Sequence, residues 1–280
     1  MSSGGLPIGV GKTALGAAMV RAHESRRADS LFNDPYAEAF SMAAPGAFDV
    51  EQRAAKAGAG DMASWGATLW SHAVIRTRFF DDYLLDATAR GIRQVVLLAA
   101  GLDTRAYRLR WPHGVRMYEL DLPEVMGFKG EVLTERRAAS RCERTVVPID
   151  LRKDWTVPLS KAGLSNSEPT AWLAEGLLIY LTARESADLL TRVGELSASR
   201  SQVAFEVENL GTDLMRAQAR QTPAMQKYTK RWKGGLPDAP GWLAENGWEP
   251  QLHDRATVAL SYGRPQTGPS IGGFVVAARA

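Results

Sequence analysis

Cysteine is nearly absent from this chain. Cys142 is the only one among 280 residues, which excludes an intramolecular disulfide and any metal site built on several thiolates. Its neighbours Arg141, Glu143 and Arg144 read as the end of a surface helix rather than a nucleophile's pocket. Histidine is scarce too: His23, His72, His113 and His253 show no H-x-x-x-H spacing, so no metal site is expected. No run approaches the ~18 consecutive apolar residues of a membrane-spanning helix. The Gly-rich start, Met1 to Lys12, lacks the apolar stretch behind basic residues that marks a signal peptide. A cytoplasmic protein without a membrane partner is expected. Charge of one sign is also lacking, because the formal balance is only +3 and the bases are spread along the chain. One segment, Lys227 to Lys233, mixes bases with aromatics, as single-strand binders do. Alone it reads better as a solvated amphipathic helix, and no nucleic-acid partner is expected.

What is present is an ordinary soluble composition, 45% hydrophobic and 23% charged, with one informative stretch. Val95 to Ala100 is an apolar run that ends in small residues and Gly101, followed by Leu102-Asp103-Thr104-Arg105. A second apolar segment, Tyr118-Glu119-Leu120, ends in an acid, Asp121, about 20 residues after the first turn. This is the layout of a β-α-β unit that holds a nucleotide-like ligand. Small residues let the backbone approach, and the acid accepts hydrogen bonds from ribose hydroxyls.

The pattern around it predicts an α/β fold with a doubly wound, mostly parallel sheet. Strands are expected at Gln94 to Ala99, Met117 to Leu120, Thr145 to Ile149, Ala171 to Ala174 and Val203 to Val207. Helices are expected at Thr104 to Leu109, Glu124 to Glu135 and Ala183 to Ser199. Before them, Thr13 to Arg27 and Leu69 to Ala89 have helical spacing, Pro35 can begin a helix running through Phe40, and Ala54 to Gly60 reads as a loop. Beyond a helix at Trp242 to Asn246, the segments Gln251-Leu252 and Gly273 to Ala278 read as an antiparallel edge pair. The expectation is one domain over 1–280: a helical lid at 1–92, a ligand-binding core at 93–208, a lid insertion at 209–245 and edge strands at 246–280. Trp65, Trp70, Met215, Met225, Tyr228 and Trp232 in the lids could line an apolar pocket or simply pack the lids down.

Two familiar motifs fail. Gly9-Val10-Gly11-Lys12-Thr13 resembles the end of a P-loop, but Leu6 stands where the first glycine belongs and no strand precedes it. The turn after the first strand is not G-x-G-x-x-G, since Ala99 and Thr104 hold the outer glycine places. That argues against a dinucleotide-dependent oxidoreductase and for a smaller ligand with an amino-acid tail.

Several segments occur together and in order: Arg21-Ala22-His23-Glu24-Ser25-Arg26-Arg27, Asp34-Pro35, Arg76-Thr77-Arg78-Phe79-Phe80-Asp81-Asp82, Gly101 to Arg108, Glu119-Leu120-Asp121-Leu122-Pro123 and Glu175 to Leu181. In these the chain resembles the leucine carboxyl methyltransferase-like family, especially its actinobacterial S-adenosylmethionine-dependent branch, which is also similar to polyketide O-methyltransferases. The resemblance covers nearly the whole chain from about Thr13. It implies S-adenosyl-L-methionine as cofactor, a Rossmann-like fold and methyl transfer to a carboxylate or hydroxyl oxygen of a small-molecule acceptor. A carboxyl methyltransferase acting on a protein C-terminus and a non-catalytic cofactor-binding protein stay open beside it.

The resemblance also assigns residues. Ala100 and Gly101 would approach the methionine part of the cofactor, and Arg76 would pair with its carboxylate, a task suited to a guanidinium. Arg78 is the next candidate, and Arg21 would cap the cofactor from the N-terminal helices. Asp121 would hold the ribose with Leu122 beside it, Asp150 and Leu151 would flank the adenine, and Glu175 would lie near the ammonium or sulfonium. Bland alternatives exist. Asp121 and Asp150 could be helix caps, and Arg76 and Arg78 could pair with Asp81 or Asp82 along one helix. Glu175 resists such a reading, because an unpaired acid between two apolar runs would be costly to bury. No catalytic base is assigned, with His72 and Tyr180 the only candidates.

Overall fold

The computed structural model describes residues 10–45, 61–207, 230–266 and 272–280. Its strands are β1 (Gln94–Leu98), β2 (Arg116–Asp121), β3 (Glu143–Pro148), β4 (Thr170–Ala174), β5 (Gln202–Val207), β6 (Trp248–Asp254) and β7 (Gly273–Arg279). They form one sheet in the order β3-β2-β1-β4-β5-β7-β6. The first five pair in parallel, and β7 enters antiparallel between β5 and β6. The expected edge pair is therefore present, with β6 outermost. Pro250 fits that place, since proline cannot donate to a ladder and is tolerated at an edge.

The helices are α1 (Val10–Glu24), α2 (Ala37–Ala43), α3 (Asp61–Ala89), α4 (Arg105–Arg108), α5 (Pro123–Glu135), α6 (Thr156–Lys161), α7 (Ala183–Glu195), α8 (Ala239–Glu245) and α9 (Arg255–Ser261). Strand alternation sorts the core into two layers. Val95 and Leu97 join Phe80, Leu84 and Phe128 on one face, while Val96 and Leu98 join Trp155, Leu189 and Leu190 on the other. Both faces are covered, which is why β1 and β4 are buried along their full length and read as unbroken apolar runs.

Several local expectations need correction. Cys142 lies in the bend before β3, not at a helix end, and burial pushes its thiol up to about 11. Lys230 to Lys233 are turn and irregular chain rather than helix, because Gly234 and Gly235 at positive φ follow at once. Residues 227–229, Ala54 to Gly60, Met215, Met225 and the side chain of Trp65 lie outside the described residues. The C-terminal helix of the core, α7, stops at Glu195, ahead of Ser199. It starts at Ala183 as expected, where Thr182 and Glu185 form a reciprocal capping box. Val10 to Thr13, the P-loop look-alike, begin α1. No helix among the described residues is long and apolar enough to cross a membrane.

Candidate functional site

The sheet order reverses between β1 and β4, the place where open α/β sheets receive ligands beyond the carboxyl ends of their strands. A cleft of about 470 Å³, counting its open mouth, lies there. It is lined by Ala14, Ala17 and Arg21 of α1, Arg76 of α3, the turn from Ala99 to Asp103, and Leu173 and Glu175 of the β4 end.

The turn is shaped for close approach. Ala99 and Gly101 both adopt left-handed backbone, at φ 55° and 49°. For alanine that conformation costs roughly 1–2 kcal/mol; for glycine it is free. A Cβ on Gly101 would stand 3.3 Å from the Ala14 Cβ, so the missing side chain also lets α1 close on the turn. The Ala100 N–H donates to the Leu120 carbonyl at 2.9 Å. Asp121, at the end of β2, accepts from the Gly101 N–H at 2.6 Å and the Leu122 N–H at 2.7 Å, one on each oxygen. Leu122 is itself the residue at the start of α5, and no side chain caps that helix, so the capping alternative for Asp121 fails. Burial pushes its carboxyl above the usual range, partly offset by the two N–H groups. Each oxygen still has acceptor capacity.

Charges converge on the cleft from three elements. Arg76 donates to Glu175 at 2.9 Å and to Glu206 of β5 at 3.0 Å, rather than to Asp81 or Asp82. Arg105, 2% exposed, donates to Glu175 at 2.7 Å and to Asp81 at 2.7 Å, and also pairs with Asp103. Burial opposes ionisation of Glu175, but Arg105 and Arg76 outweigh it and hold the carboxyl below the usual range. Asp103 is likewise held at about 2, against burial, by Arg105 and Lys129. Arg21 donates to Asp34 at 2.8 Å and to the Leu102 carbonyl at 2.6 Å, which leaves one Nη outside its hydrogen bonds among the described residues.

Other candidates fall elsewhere. Arg78 pairs with Asp82 at 3.0 Å, donates to the Leu31 carbonyl and lies over the Tyr262 ring; it does not line the cleft. Asp150 and Leu151 follow β3, two strands from β1. Asp150 caps no helix; the Arg152 guanidinium, at 2.8 and 3.0 Å from Nε, holds its carboxyl at about 2. Leu151 packs on the second core layer. Tyr180 ends a short 3-10 turn, Leu178–Tyr180, and is partly buried. His72 sits one helical turn before Arg76; burial, then the Arg76 and Arg255 charges, keep its imidazole neutral. Asp103, Arg105 and Glu206 received no role from the sequence. Glu206 carried the same signal as Glu175, an acid at the end of an apolar strand. No group of three or more His, Cys, Asp or Glu side chains among the described residues could hold a metal ion.

The sequence profile of the leucine carboxyl methyltransferase family matches residues 14–194. The chain belongs to this family. A Frankia alni protein bearing the name of an S-adenosyl-L-methionine-dependent methyltransferase is 50% identical over 276 residues, covering 98% of this chain and 96% of its own. A Streptomyces coelicolor protein named in the same way is 43% identical over 288 residues, covering 98% and 96%. Among solved structures, a DUF574 family protein of Streptomyces avermitilis superposes with a TM-score of 0.59 at 15% identity, covering 94% of this chain and 97% of its own. A Synechocystis magnesium protoporphyrin IX methyltransferase with bound SAH gives 0.50 at 16% identity, covering 74% and 84%. Similarity at that level establishes the fold, the Rossmann-like α/β fold.

Proposed function

We propose that this methyltransferase uses S-adenosyl-L-methionine to methylate an oxygen, with a carboxylate preferred over a hydroxyl, on a small-molecule acceptor in the cytoplasm. When bound, the cofactor supplies an electrophilic methyl group on its sulfonium. The chain's residues suit such a ligand. A zwitterionic amino-acid tail needs a cation and an anion within one narrow cleft, and here Arg21, Arg76, Asp103 and Glu175 line one cleft beside a turn with no side chain at Gly101. Ala100 and Gly101 would lie against the tail, with the remaining Nη of Arg21 and the guanidinium of Arg76 toward its carboxylate and Glu175 toward its positive end. Asp121 would add ribose hydroxyls to the N–H groups it already accepts. Leu122 would lie beside the ribose, and Asp150 and Leu151 toward the base. Of the arginines, Arg21 gains weight over Arg78, which is engaged away from the cleft.

The observation that carries the choice of acceptor is the state of the cleft's acids. Glu175 and Asp103 are held ionised by arginines, and a carboxylate with so depressed a pKa is a poor base. A phenol, with a pKa of about 10, would need one; an acceptor carboxylate is already ionised near neutral pH. Catalysis then rests on positioning and exclusion of water, and neither His72 nor Tyr180 is required as a base.

The test is a turnover assay with labelled cofactor against paired carboxylic acids and phenols. Product label released by mild base marks a methyl ester, and label retained marks an ether. Ester formation supports the reading. Ether formation alone would reject the carboxylate preference, and cofactor binding without turnover on any acceptor would favour a sensor.

A further inference from the structure

Arg255, the first residue of α9, is 1% exposed. Among the described residues its guanidinium meets one acceptor, Gln266 Oε1 at 3.0 Å, while Nε and one Nη are buried without a partner. Guanidinium remains charged in proteins, and a buried cation with no anion in hydrogen-bond contact is disfavoured; the charge of neighbouring Asp254 opposes burial only in part. Burial lowers the Arg255 pKa to about 10. A second orphan is His72 Nδ1, also buried without a partner.

These two groups belong to one place. Tyr262, just past α9, donates to Asp82 of α3 at 2.9 Å. α9 is thus fastened to α3, and Arg255 is near enough to His72 for its charge to act on the imidazole. The His72 ring stacks on Phe274 at 6.4 Å, and Phe274 stacks on Phe79 at 4.4 Å. Phe274 pairs in register with Glu206 of β5, whose carboxylate holds Arg76 at the cleft. The orphaned donors therefore stand at the same carboxyl edge of the sheet as the cleft, displaced from it across β5 and β7.

We propose that Arg255 and His72 form an anion-binding subsite that anchors a carboxylate of the methyl acceptor, other than the oxygen that is methylated. This rests on the methyl-transfer reading of the cleft and gives the acceptor a class. It carries an anionic group roughly 14 Å from its nucleophilic oxygen, the width of the three strand spacings from β4 to β6. The unpaired guanidinium nitrogens supply charge-assisted donors, and neutral His72 in its Nδ1–H tautomer adds a third.

The experiment is calorimetric titration of benzoate, and of neutral benzamide as its control, into the whole protein with and without saturating S-adenosylhomocysteine. Benzoate is expected to bind the wild type at least tenfold more tightly than benzamide. Arg255→Met should weaken benzoate at least tenfold while leaving S-adenosylhomocysteine affinity within twofold, and His72→Phe should weaken benzoate about threefold. As a second readout, benzoate should raise the Tm of the wild type but not of Arg255→Met, whose own Tm in anion-poor buffer should equal or exceed that of the wild type. Equal binding of benzoate and benzamide, no benzoate binding, or unchanged benzoate affinity in Arg255→Met would each overturn the subsite. An Arg255→Met protein that fails to fold would overturn it too, since it would give Arg255 a structural role. If benzoate binding depends on Arg255 while S-adenosylhomocysteine does not bind, the cleft reading fails, and with it the assignment of the anion to a methyl acceptor.

Discussion

Arg105 and Arg255 are 2% and 1% exposed, yet their surroundings are opposite. Arg105 meets the carboxylates of Asp81, Asp103 and Glu175, and its pKa rises well above the ordinary value because these charges outweigh burial. Among the described residues Arg255 donates only to a neutral amide, and burial, opposed in part by the Asp254 charge, lowers its pKa. The first arginine binds three elements, α3, the β1 turn and the β4 end, into a preassembled wall of the cleft. The second belongs to a region whose polar demand is unmet by the described residues. Within one protein, burial of a cation thus marks rigidity where carboxylates answer it and points to ligand recognition where they do not.

The largest way to break this comparison is Arg105→Met. It leaves Asp103 without its guanidinium and Glu175 with Arg76 alone, both partly buried, and a broken buried ion pair typically costs about 3–5 kcal/mol. Urea denaturation should show a loss of that order, whereas Arg255→Met should show none. A loss below about 1 kcal/mol for Arg105→Met would remove the distinction.

Acid sharpens the same point. Asp103 is held at about 2 against an ordinary 3.8; its folded pKa is depressed, so its contribution is present above the unfolded value and is lost as pH falls from about 4 toward 2. The shift corresponds to about 2 kcal/mol. Glu175 adds in the same direction, while Asp121 and Glu206, raised by burial, act oppositely: their contribution is greatest when protonated and is lost as pH rises through their folded values. Stability measured against pH in wild type and Asp103→Asn should therefore converge below about pH 2. Curves that stay parallel would contradict the assignment.

The turn offers smaller tests. Gly101→Ala places a Cβ 3.3 Å from Ala14 in left-handed backbone and should cost about 1–2 kcal/mol, with weaker S-adenosylhomocysteine binding. Ala99→Gly relieves the strain of φ 55° and should raise stability by about 1 kcal/mol or less, since glycine also frees the unfolded chain. If Ala99→Gly destabilises, the alanine makes a contact that outweighs its backbone.

Much of the fold was readable, because a parallel sheet buried on both faces writes its strands as apolar runs, and Gln94–Leu98 and Thr170–Ala174 were found nearly to the residue. Two short helices were not: α6 and α9, 6 and 7 residues long, carry no clear apolar periodicity, although the comparably short α4 and α8 were expected at Thr104 to Leu109 and Trp242 to Asn246, and α9 carries Arg255. Around the cleft, Gly101, Asp121 and Glu175 stand out in the sequence because each interrupts or ends an apolar run, whereas Arg76 was singled out by the family resemblance. Arg76's partners were not, since Glu175 and Glu206 lie 99 and 130 residues away, and local spacing suggested Asp81 or Asp82 instead. Arg105 received no role from the sequence and is a buried hub, a distinction that only long-range packing makes.

The measurement closest to the centre of this account is calorimetric titration of S-adenosylhomocysteine into wild type and Asp121→Ala, each freed of co-purified ligand and verified as folded by circular dichroism. The account predicts micromolar binding by the wild type and at least tenfold weaker binding by the variant, about 1.4 kcal/mol or more. Absence of binding by the wild type, or equal binding by both proteins, would contradict the placement of the cofactor in the cleft at the ends of β1, β2 and β4.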